Sequence, residues 1–349
     1  MRFCAAVLLL CATQARSAEP AVVKDSTEAG LDRQRVAHIP ERMKNFVDRG
    51  TIAGAVTLVA RHGRIAALDA VGYSDIENKT PLRADAIFQL HSMTKPVVAI
   101  GAMILMDEGK LSLLDPVEKH LPEFRSMWVI EAQDGDRERK LTRPVRPITI
   151  RDLMTHTSGM SLNPPPGIGE LHGALHKTLE QAVLVISQQP LAFQPGTKWQ
   201  YSNTGIAALA RIIEVVSGIP YEKFLETRIF APLGMKDTFT YPPEAKFARM
   251  PTAYILKDGK PVKYTTDPLG EGAMKFRQGA RYPLPEGGLY STANDLFVLY
   301  QMMLNRGQYN GTRILSPSSV ETMTRLHTGN LAAGGPGMGY GLGLSLIHI

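Results

Sequence analysis

The stretch His91-Ser92-Met93-Thr94-Lys95-Pro96 decides how this chain is organised. Ser92 and Lys95 are three residues apart, so on a helix their side chains share one face, one turn apart. Proline has no N–H and is tolerated only in the first turn of a helix, so Pro96 places the helix start near Ser92. The stretch therefore predicts a serine hydroxyl at the positive end of a helix, with a lysine amine beside it.

The helix that follows is predicted to be buried. Residues 97–106 (VVAIGAMILM) are too apolar for a surface helix, and Gly109 is suited to the C-terminal cap. In such surroundings Lys95 can act as a base for Ser92, because a serine hydroxyl is a weak nucleophile until a base takes its proton. A lysine pKa lowered from ~10.4 to about 7–8 requires roughly 4 kcal/mol in favour of the neutral amine, and burial and the helix terminus both act in that direction. The sequence has no G-x-S-x-G, so the α/β-hydrolase nucleophile elbow is excluded.

A second motif, Tyr201-Ser202-Asn203, is the only Y-x-N in the sequence and lies between Pro195-Gly196 and a predicted helix. A phenol beside a lysine would share a proton with it, and the two would titrate together. By itself Tyr201 would be interpreted as an ordinary half-buried tyrosine. Because Ser92/Lys95 is the only S-x-x-K, the two motifs together favour a catalytic site.

The order of elements predicts an α/β (α+β) fold with an inserted helical domain. Residues 53–60 and 64–71 are predicted strands of a hairpin, helices dominate from 93 to 240, and shorter segments return after 240. We assign residues 19–92 and 241–349 to the α/β domain and 93–240 to the helical domain, with 132–147 as an exposed insertion. Thr149/Asp152 and Thr292/Asp295 are predicted capping boxes, and residues 203–217 a helix ending at Gly218.

The N-terminus has the outline of a secretory signal peptide, residues 1–18, with Arg2, an apolar run and small residues before Glu19. We therefore expect a periplasmic or secreted protein. The apolar run is too short to span a bilayer, and no later window approaches the required ~20 residues. Both cysteines, Cys4 and Cys11, lie in this segment, so no disulfide or thiol chemistry is expected after its removal. Lipidation at Cys11 is disfavoured because Leu10, not a small residue, precedes it.

Composition and spacing disfavour two other kinds of function. The net charge of +6 comes from dispersed basic residues, without the one-sided basic stripe that a nucleic-acid partner requires. His172 and His176 have the i, i+4 spacing of metal ligands, but there is no H-E-x-x-H and no evident third ligand, so no metal site is predicted.

The motifs and their surroundings resemble the β-lactamase-like superfamily of serine hydrolases. That superfamily includes class C β-lactamases, D-Ala-D-Ala carboxypeptidases and family VIII carboxylesterases. The resemblance covers most of the chain, and the S-M-T-K spelling and the 132–147 insertion are closest to family VIII esterases. The segments that carry it, besides the two motifs, are ITIRDLMTHTSGM (148–160), FQPGTKWQYSNTGIAALARIIEVVSG (193–218), FAPLGMKDT (230–238) and GGLYSTANDL (287–296).

The resemblance implies a role for each motif residue and an antiparallel sheet flanked by helices. Ser92 would be the nucleophile that forms an acyl-enzyme, its backbone N–H supplying half of the oxyanion hole, and Lys95 would assist as base. Tyr201 would relay protons to the leaving group and the deacylating water. Asn203 would hydrogen-bond the substrate or Lys95. A small-molecule ester or amide substrate is implied, and no metal or organic cofactor.

The C-terminus departs from the family pattern. A third motif (K-T-G, H-x-G or W-G-G) on a late strand is expected, but the chain stops after Gly339–Gly343, and residues 344–349 match the translation of a common sequencing adaptor. We therefore expect a truncated chain that lacks C-terminal strands and half of the oxyanion hole, and that is unstable and nearly inactive.

The sequence leaves four functions open. The leading hypothesis is a carboxylesterase acting on short-chain esters. The alternatives are a β-lactamase or D-Ala-D-Ala carboxypeptidase, an acyltransferase using the same acyl-enzyme, and a non-catalytic binding protein on the same fold. The sequence does not indicate an oligomeric state.

Overall fold

The computed structural model describes residues 20–134, 138–163, 177–264, 279–331 and 333–347. The predicted signal peptide and the His172/His176 pair lie outside these ranges. The helices are α1 Arg33–Asp48, α2 Thr94–Asp107, α3 Val117–His120, α4 Ile150–Met154, α5 Leu179–Ile186, α6 Asn203–Ser217, α7 Tyr221–Leu225, α8 Ala231–Leu233, α9 Ala293–Leu304 and α10 Pro317–Thr324. The strands are β1 Gly54–Arg61, β2 Arg64–Asp75, β3 Thr80–Pro81, β4 Phe88–Gln89, β5 Val129–Asp134, β6 Glu138–Thr142, β7 Tyr254–Lys257, β8 Lys260–Lys263, β9 Tyr290–Ser291, β10 Gln308–Tyr309, β11 Thr312–Arg313, β12 Met338–Tyr340 and β13 Ser345–Ile347.

The first sheet is built on the predicted hairpin. β1 and β2 pair antiparallel from Gly54 opposite Gly72 to Arg61 opposite Arg64, and β3 continues the sheet beside β2. The two turn residues have positive φ, 53° at His62 and 75° at Gly63. Turns of this kind suit the right-handed twist of the flanking strands. The predicted hairpin is therefore confirmed.

Helix α2 is the buried helix that the opening stretch predicts. A 3₁₀ turn, His91–Met93, leads into it, and eleven of its residues are buried. Gly109, just beyond its end, has φ 69°, as expected for a glycine that ends a helix. α2 packs on α6, and at Gly101 an added Cβ would lie 3.1 Å from Ile213 Cδ1. This close approach packs the middle of α2 against the second half of α6.

A short antiparallel ladder connects the start of α2 to a distant part of the chain. β4 pairs with β9, Phe88 opposite Ser291 and Gln89 opposite Tyr290. The Leu90 N–H then donates to the Leu289 carbonyl at 2.7 Å, and the Leu289 N–H donates to Thr94 Oγ1 at 3.2 Å. These bonds place residues 284–291 directly beside Ser92.

Two local predictions are refined by the structure. The 132–147 insertion contains most of a β-hairpin, β5 with β6, which is joined to the body through the Val129–Leu191 bridge. The Thr149/Asp152 capping box is present in both directions. At α9 only Thr292 caps, accepting from the Asp295 N–H.

The other bond of the predicted capping box, from the Thr292 N–H to the Asp295 side chain, is therefore wrong. The Asp295 carboxylate accepts instead from the Asp237 N–H and the Thr238 hydroxyl, both at 2.8 Å. A tertiary contact has replaced the local one, because it satisfies two donors of a neighbouring buried segment.

Helices pack around antiparallel sheets, so the α/β fold class is confirmed, whereas the domain limits stay a prediction. Within the described ranges, no single helix has the length and apolarity needed to cross a membrane. Only α6 taken together with the Tyr221–Leu233 segment meets that criterion, and the two are bent by 75°.

Candidate active site

Ser92 and Lys95 meet at the start of α2 as the spacing predicts. Lys95 Nζ lies 3.2 Å from Ser92 Oγ. Ser92 is exposed, whereas Lys95 retains only 1% of its accessible surface. His91, immediately before the serine, has φ 47°, an uncommon conformation for a non-glycine residue. Ser92 is therefore accessible from solvent, while the amine lies beneath it in the protein.

Burial makes Lys95 a usable base. It lowers the pKa of Lys95 to about 8, and the nearby charge of Glu286 partly opposes this shift. Nζ also donates to the main-chain carbonyl of Glu286 at 2.7 Å. With the amine oriented by that bond, its lone pair in the neutral form can accept the Ser92 proton. The protonated amine instead donates a hydrogen bond to Ser92 Oγ.

Tyr201 completes the group that the two motifs predict. Lys95 Nζ lies 4.6 Å from the centroid of its ring. Burial raises the pKa of Tyr201, although its interaction with the Ser92 side chain acts in the opposite direction. A phenol with a raised pKa stays protonated near neutral pH, so Tyr201 can donate a hydrogen bond, whereas Lys95 is the group that can accept a proton. The predicted roles of proton relay and base stay predictions.

Asn203, the last residue of the Tyr201-Ser202-Asn203 motif, begins α6. Its Nδ2 donates to Asn163 Oδ1 at 3.0 Å, and its backbone N–H donates to the Leu162 carbonyl at 2.9 Å. These contacts tie the start of α6 to the 161–163 segment. The predicted role of Asn203 in binding the substrate or Lys95 stays a prediction, as does the role of the Ser92 N–H in an oxyanion hole.

His156 is a site residue that the sequence reasoning did not single out. Its Nδ1 accepts from the Ser202 N–H at 3.1 Å, so Nε2 carries the proton of the neutral ring and donates to the Tyr340 hydroxyl at 3.0 Å. Its ring centroid lies 4.5 Å from that of Tyr201. Burial, assisted by the charge of Lys95, lowers the pKa of His156 to about 3, so the ring is neutral.

Aromatic rings surround this histidine. Trp199 lies 6.0 Å from His156 and 5.9 Å from Tyr340, measured between ring centroids, and Tyr340 lies 4.8 Å from His156. Burial also raises the pKa of Tyr340. The THTSG run that contains His156 is part of a segment that resembles the family, but one histidine in a polar run gives no specific sign of a functional site.

Glu286 and Tyr282 were also missed. Glu286 retains 5% of its accessible surface and Tyr282 none, and the Tyr282 hydroxyl lies 3.2 Å from one Glu286 carboxylate oxygen and 3.5 Å from the other. No sequence signal places this segment at Ser92, because the ladder that brings it there is only two residue pairs long. Within the described ranges, no group of three or more His, Cys, Asp or Glu residues is arranged to hold a metal ion.

Comparisons with known proteins find matches over most of the chain. The family model named Beta-lactamase matches residues 39–346. Esterase EstB of Burkholderia gladioli is 31% identical over 346 residues, covering 91% of this chain and 81% of its own. Uncharacterized protein MT1414 of Mycobacterium tuberculosis (strain CDC 1551 / Oshkosh) is 32% identical over 318 residues, covering 87% of this chain and 77% of its own.

A solved structure is similar over the same length. It is that of EstCE1, described as a hydrolase with promiscuous acyltransferase activity, with a TM-score of 0.74 and 28% identity, covering 92% of this chain and 84% of that one.

Proposed function

The chain belongs to the beta-lactamase family of serine hydrolases, and on that premise we propose that it is a carboxylesterase which cleaves short-chain esters through an acyl-enzyme on Ser92. The observation that carries this proposal is the 3.2 Å contact between Ser92 Oγ and a buried Lys95 amine whose pKa is lowered to about 8. Esterases among its relatives support the reaction at the level of the family. The preference for short-chain esters is not indicated by these relatives and is part of the proposal.

Acylation begins when the neutral Lys95 amine takes the Ser92 proton as Oγ attacks the ester carbonyl. A C–O bond forms, and the carbonyl oxygen of the tetrahedral intermediate carries the negative charge. When the intermediate collapses, the bond to the alcohol breaks. The leaving oxygen takes a proton from the Tyr201 phenol, which regains one from protonated Lys95.

Deacylation repeats these steps with water in place of the serine. Water gives a proton to Lys95, directly or through Tyr201, as it attacks the acyl carbonyl. The bond to Ser92 Oγ breaks, the oxygen recovers its proton, and a carboxylic acid leaves. Ester and water are the only reactants needed, because in each half-reaction the proton taken from the nucleophile is delivered to the leaving oxygen through Lys95 and Tyr201.

The test combines covalent labelling of the serine with an activity assay. A fluorophosphonate probe followed by peptide mass spectrometry is expected to modify Ser92. Hydrolysis of p-nitrophenyl butyrate is expected to fall at least about 10³-fold in Ser92→Ala. Ser74→Ala, a serine of β2, is the matched control and should retain wild-type activity. Hydrolysis that is unchanged in Ser92→Ala, or a probe that leaves Ser92 unmodified, would contradict the proposal.

A parallel assay with nitrocefin separates the esterase from the alternative β-lactamase or peptidase functions. A higher kcat/KM for nitrocefin than for p-nitrophenyl butyrate would replace the esterase proposal. Equal binding of an ester by Ser92→Ala and the wild type, without turnover by either, would support the non-catalytic alternative.

Transfer of the acyl group to an alcohol is a second candidate, favoured by the exposure of Ser92 and by the promiscuous acyltransferase activity of EstCE1. An acyl-enzyme open to solvent can be attacked by an alcohol as well as by water. Adding methanol to the p-nitrophenyl butyrate assay is expected to yield methyl butyrate. Formation of butyric acid alone at high methanol would exclude transfer.

A further inference from the structure

We propose that Glu286 is a positioning residue for Lys95: its main-chain carbonyl holds the amine beside Ser92, and its buried carboxylate sets the pH range in which that amine can act as a base. This inference rests on the proposed serine-hydrolase function and deepens it. It concerns a buried acidic residue that the reaction steps above do not use.

The first support is the contact between Glu286 and the reacting group. Lys95 Nζ donates to the Glu286 carbonyl at 2.7 Å, a shorter contact than the 3.2 Å to Ser92 Oγ. The two residues are 191 positions apart in the chain. The carbonyl therefore fixes where the amine nitrogen lies, and a neutral amine held in this way keeps its lone pair free for the serine proton.

The second support is the rigidity of the segment that carries the carbonyl. The N–H groups of Gly287 and Gly288 both donate to the Leu284 carbonyl, at 3.1 and 2.7 Å. At Gly287 an added Cβ would lie 3.4 Å from the His91 carbonyl carbon. The turn thus packs on the backbone just before Ser92.

The third support is the placement of the carboxylate. Glu286 is almost wholly buried, and Tyr282, which is fully buried, donates a hydrogen bond to its carboxylate at 3.2 Å. A buried carboxylate near an amine favours the protonated amine, so this charge counteracts the effect of burial on Lys95. The same charge acts on the Tyr201 phenol and on the buried Tyr221.

Several groups face this pair from the elements packed around it. The Lys95 amine contacts Ser92, Tyr201 and the Glu286 carbonyl, and its charge interacts with those of Glu286 and His156. His156 is neutral and Tyr201 is protonated near neutral pH, so Glu286 is the acidic group among them. Loss of its charge should act on Lys95 more than on any other part of the site.

The experiment is the pH dependence of Ser92 labelling by a fluorophosphonate probe in the 349-residue chain. The labelling rate reports whether Lys95 is neutral, and it does not depend on the choice of ester. Glu286→Gln preserves the main-chain carbonyl, the side-chain shape and an oxygen that accepts from Tyr282. In Glu286→Gln we expect the acid limb of the pH–rate profile, the range in which the labelling rate rises with pH, to move to lower pH by about half a unit to one unit. The reason is that the protonated amine loses a favourable charge.

Two further variants keep the test decisive. Tyr282→Phe removes a donor to the carboxylate without changing the net charge. The carboxylate keeps its charge but loses a compensating dipole, so a smaller shift of the acid limb, to higher pH, is expected. Glu222→Gln makes the same charge change at a partly buried glutamate of α7, and it should leave the limb in place. Should Glu286→Gln fail to fold, as judged by circular dichroism, Tyr282→Phe alone decides.

The outcomes separate this inference from the proposed function. A wild-type chain labelled at Ser92, with the same acid limb in Glu286→Gln and Tyr282→Phe, would overturn the role of Glu286 and leave the hydrolase proposal intact. A limb that moves equally in Glu222→Gln would also overturn it, because the effect would then be one of net charge. A wild-type chain that is not labelled at Ser92 would overturn both.

Discussion

The imidazole of His156 lies against the ring of Tyr201, with centroids 4.5 Å apart and planes inclined by 35°. The same imidazole accepts the N–H of Ser202, so it holds both the side chain and the following backbone of the proposed proton relay. His156 has φ 59°, a conformation that is uncommon for a residue other than glycine. The site thus contains a neutral histidine that contacts Tyr201 and Ser202.

Replacing this histidine should reduce turnover more than substrate binding. Asparagine tolerates a positive φ, so His156→Asn preserves the backbone and removes the ring. We expect kcat for p-nitrophenyl butyrate to fall about 10²-fold with a smaller change in KM, because Tyr201 loses its packing partner. Tyr340→Phe removes only the hydroxyl that the ring contacts and should retain kcat within about threefold. Equal losses in both variants would point to a general structural role.

The pH dependence of hydrolysis should follow Lys95. Its pKa is lowered to about 8 and the neutral form is the base, so kcat/KM should rise about tenfold per pH unit below that value and level off above it. Lys95→Arg keeps a positive charge but cannot lose a proton in this range, and kcat/KM should fall at least about 10³-fold. Lys110→Arg, an exposed lysine beyond the end of α2, serves as the control. A profile that is flat from about pH 6 to 9 would exclude lysine as the base.

Acid should destabilise the fold partly through His156. Its pKa is lowered from 6.5 to about 3, so between these values the unfolded chain binds a proton that the native state does not. The stabilising contribution is complete above pH 6.5 and is lost as the pH falls toward 3, by up to about 1.4 kcal/mol per unit. Urea unfolding at about pH 7, 6 and 5 should show a shallower loss for His156→Asn, but not for His38→Asn at an exposed histidine. Parallel curves for the wild type and His156→Asn would contradict this assignment.

Two glycines with positive φ should respond differently to alanine. At Gly159, with φ 81°, an added Cβ would lie 2.4 Å from the Phe193 carbonyl oxygen, whereas at Gly109, with φ 69°, nothing lies within 4 Å. Gly109→Ala should cost about 1 kcal/mol of unfolding free energy from the backbone conformation alone. Gly159→Ala should cost about 3 kcal/mol or more, because the carbonyl must also move. Equal losses in denaturant unfolding would show that the close contact relaxes freely.

Short-range patterns were sufficient to predict that Ser92 and Lys95, the proposed catalytic group, lie side by side. The three-residue spacing of Ser92 and Lys95, with a proline just after them, was enough to predict a helix start and two side chains on one face. The β1–β2 hairpin and the glycine ends of α2 and α6 followed for the same reason. Each depends on the conformational limits of a few neighbouring residues, which the chain carries with it wherever it folds.

The environment of that catalytic group was decided by tertiary structure. The Glu286 carbonyl reaches Lys95 across 191 positions, His156 meets Ser202 across 46, and the Asp295 carboxylate turns away from its own helix start to Asp237, 58 positions away. No local pattern encodes such contacts, because they exist only after α2, α6 and the β4–β9 ladder have packed together and excluded water. The amine and the nucleophile could be read from four residues, whereas the pKa of the amine depends on what the whole fold buries around it.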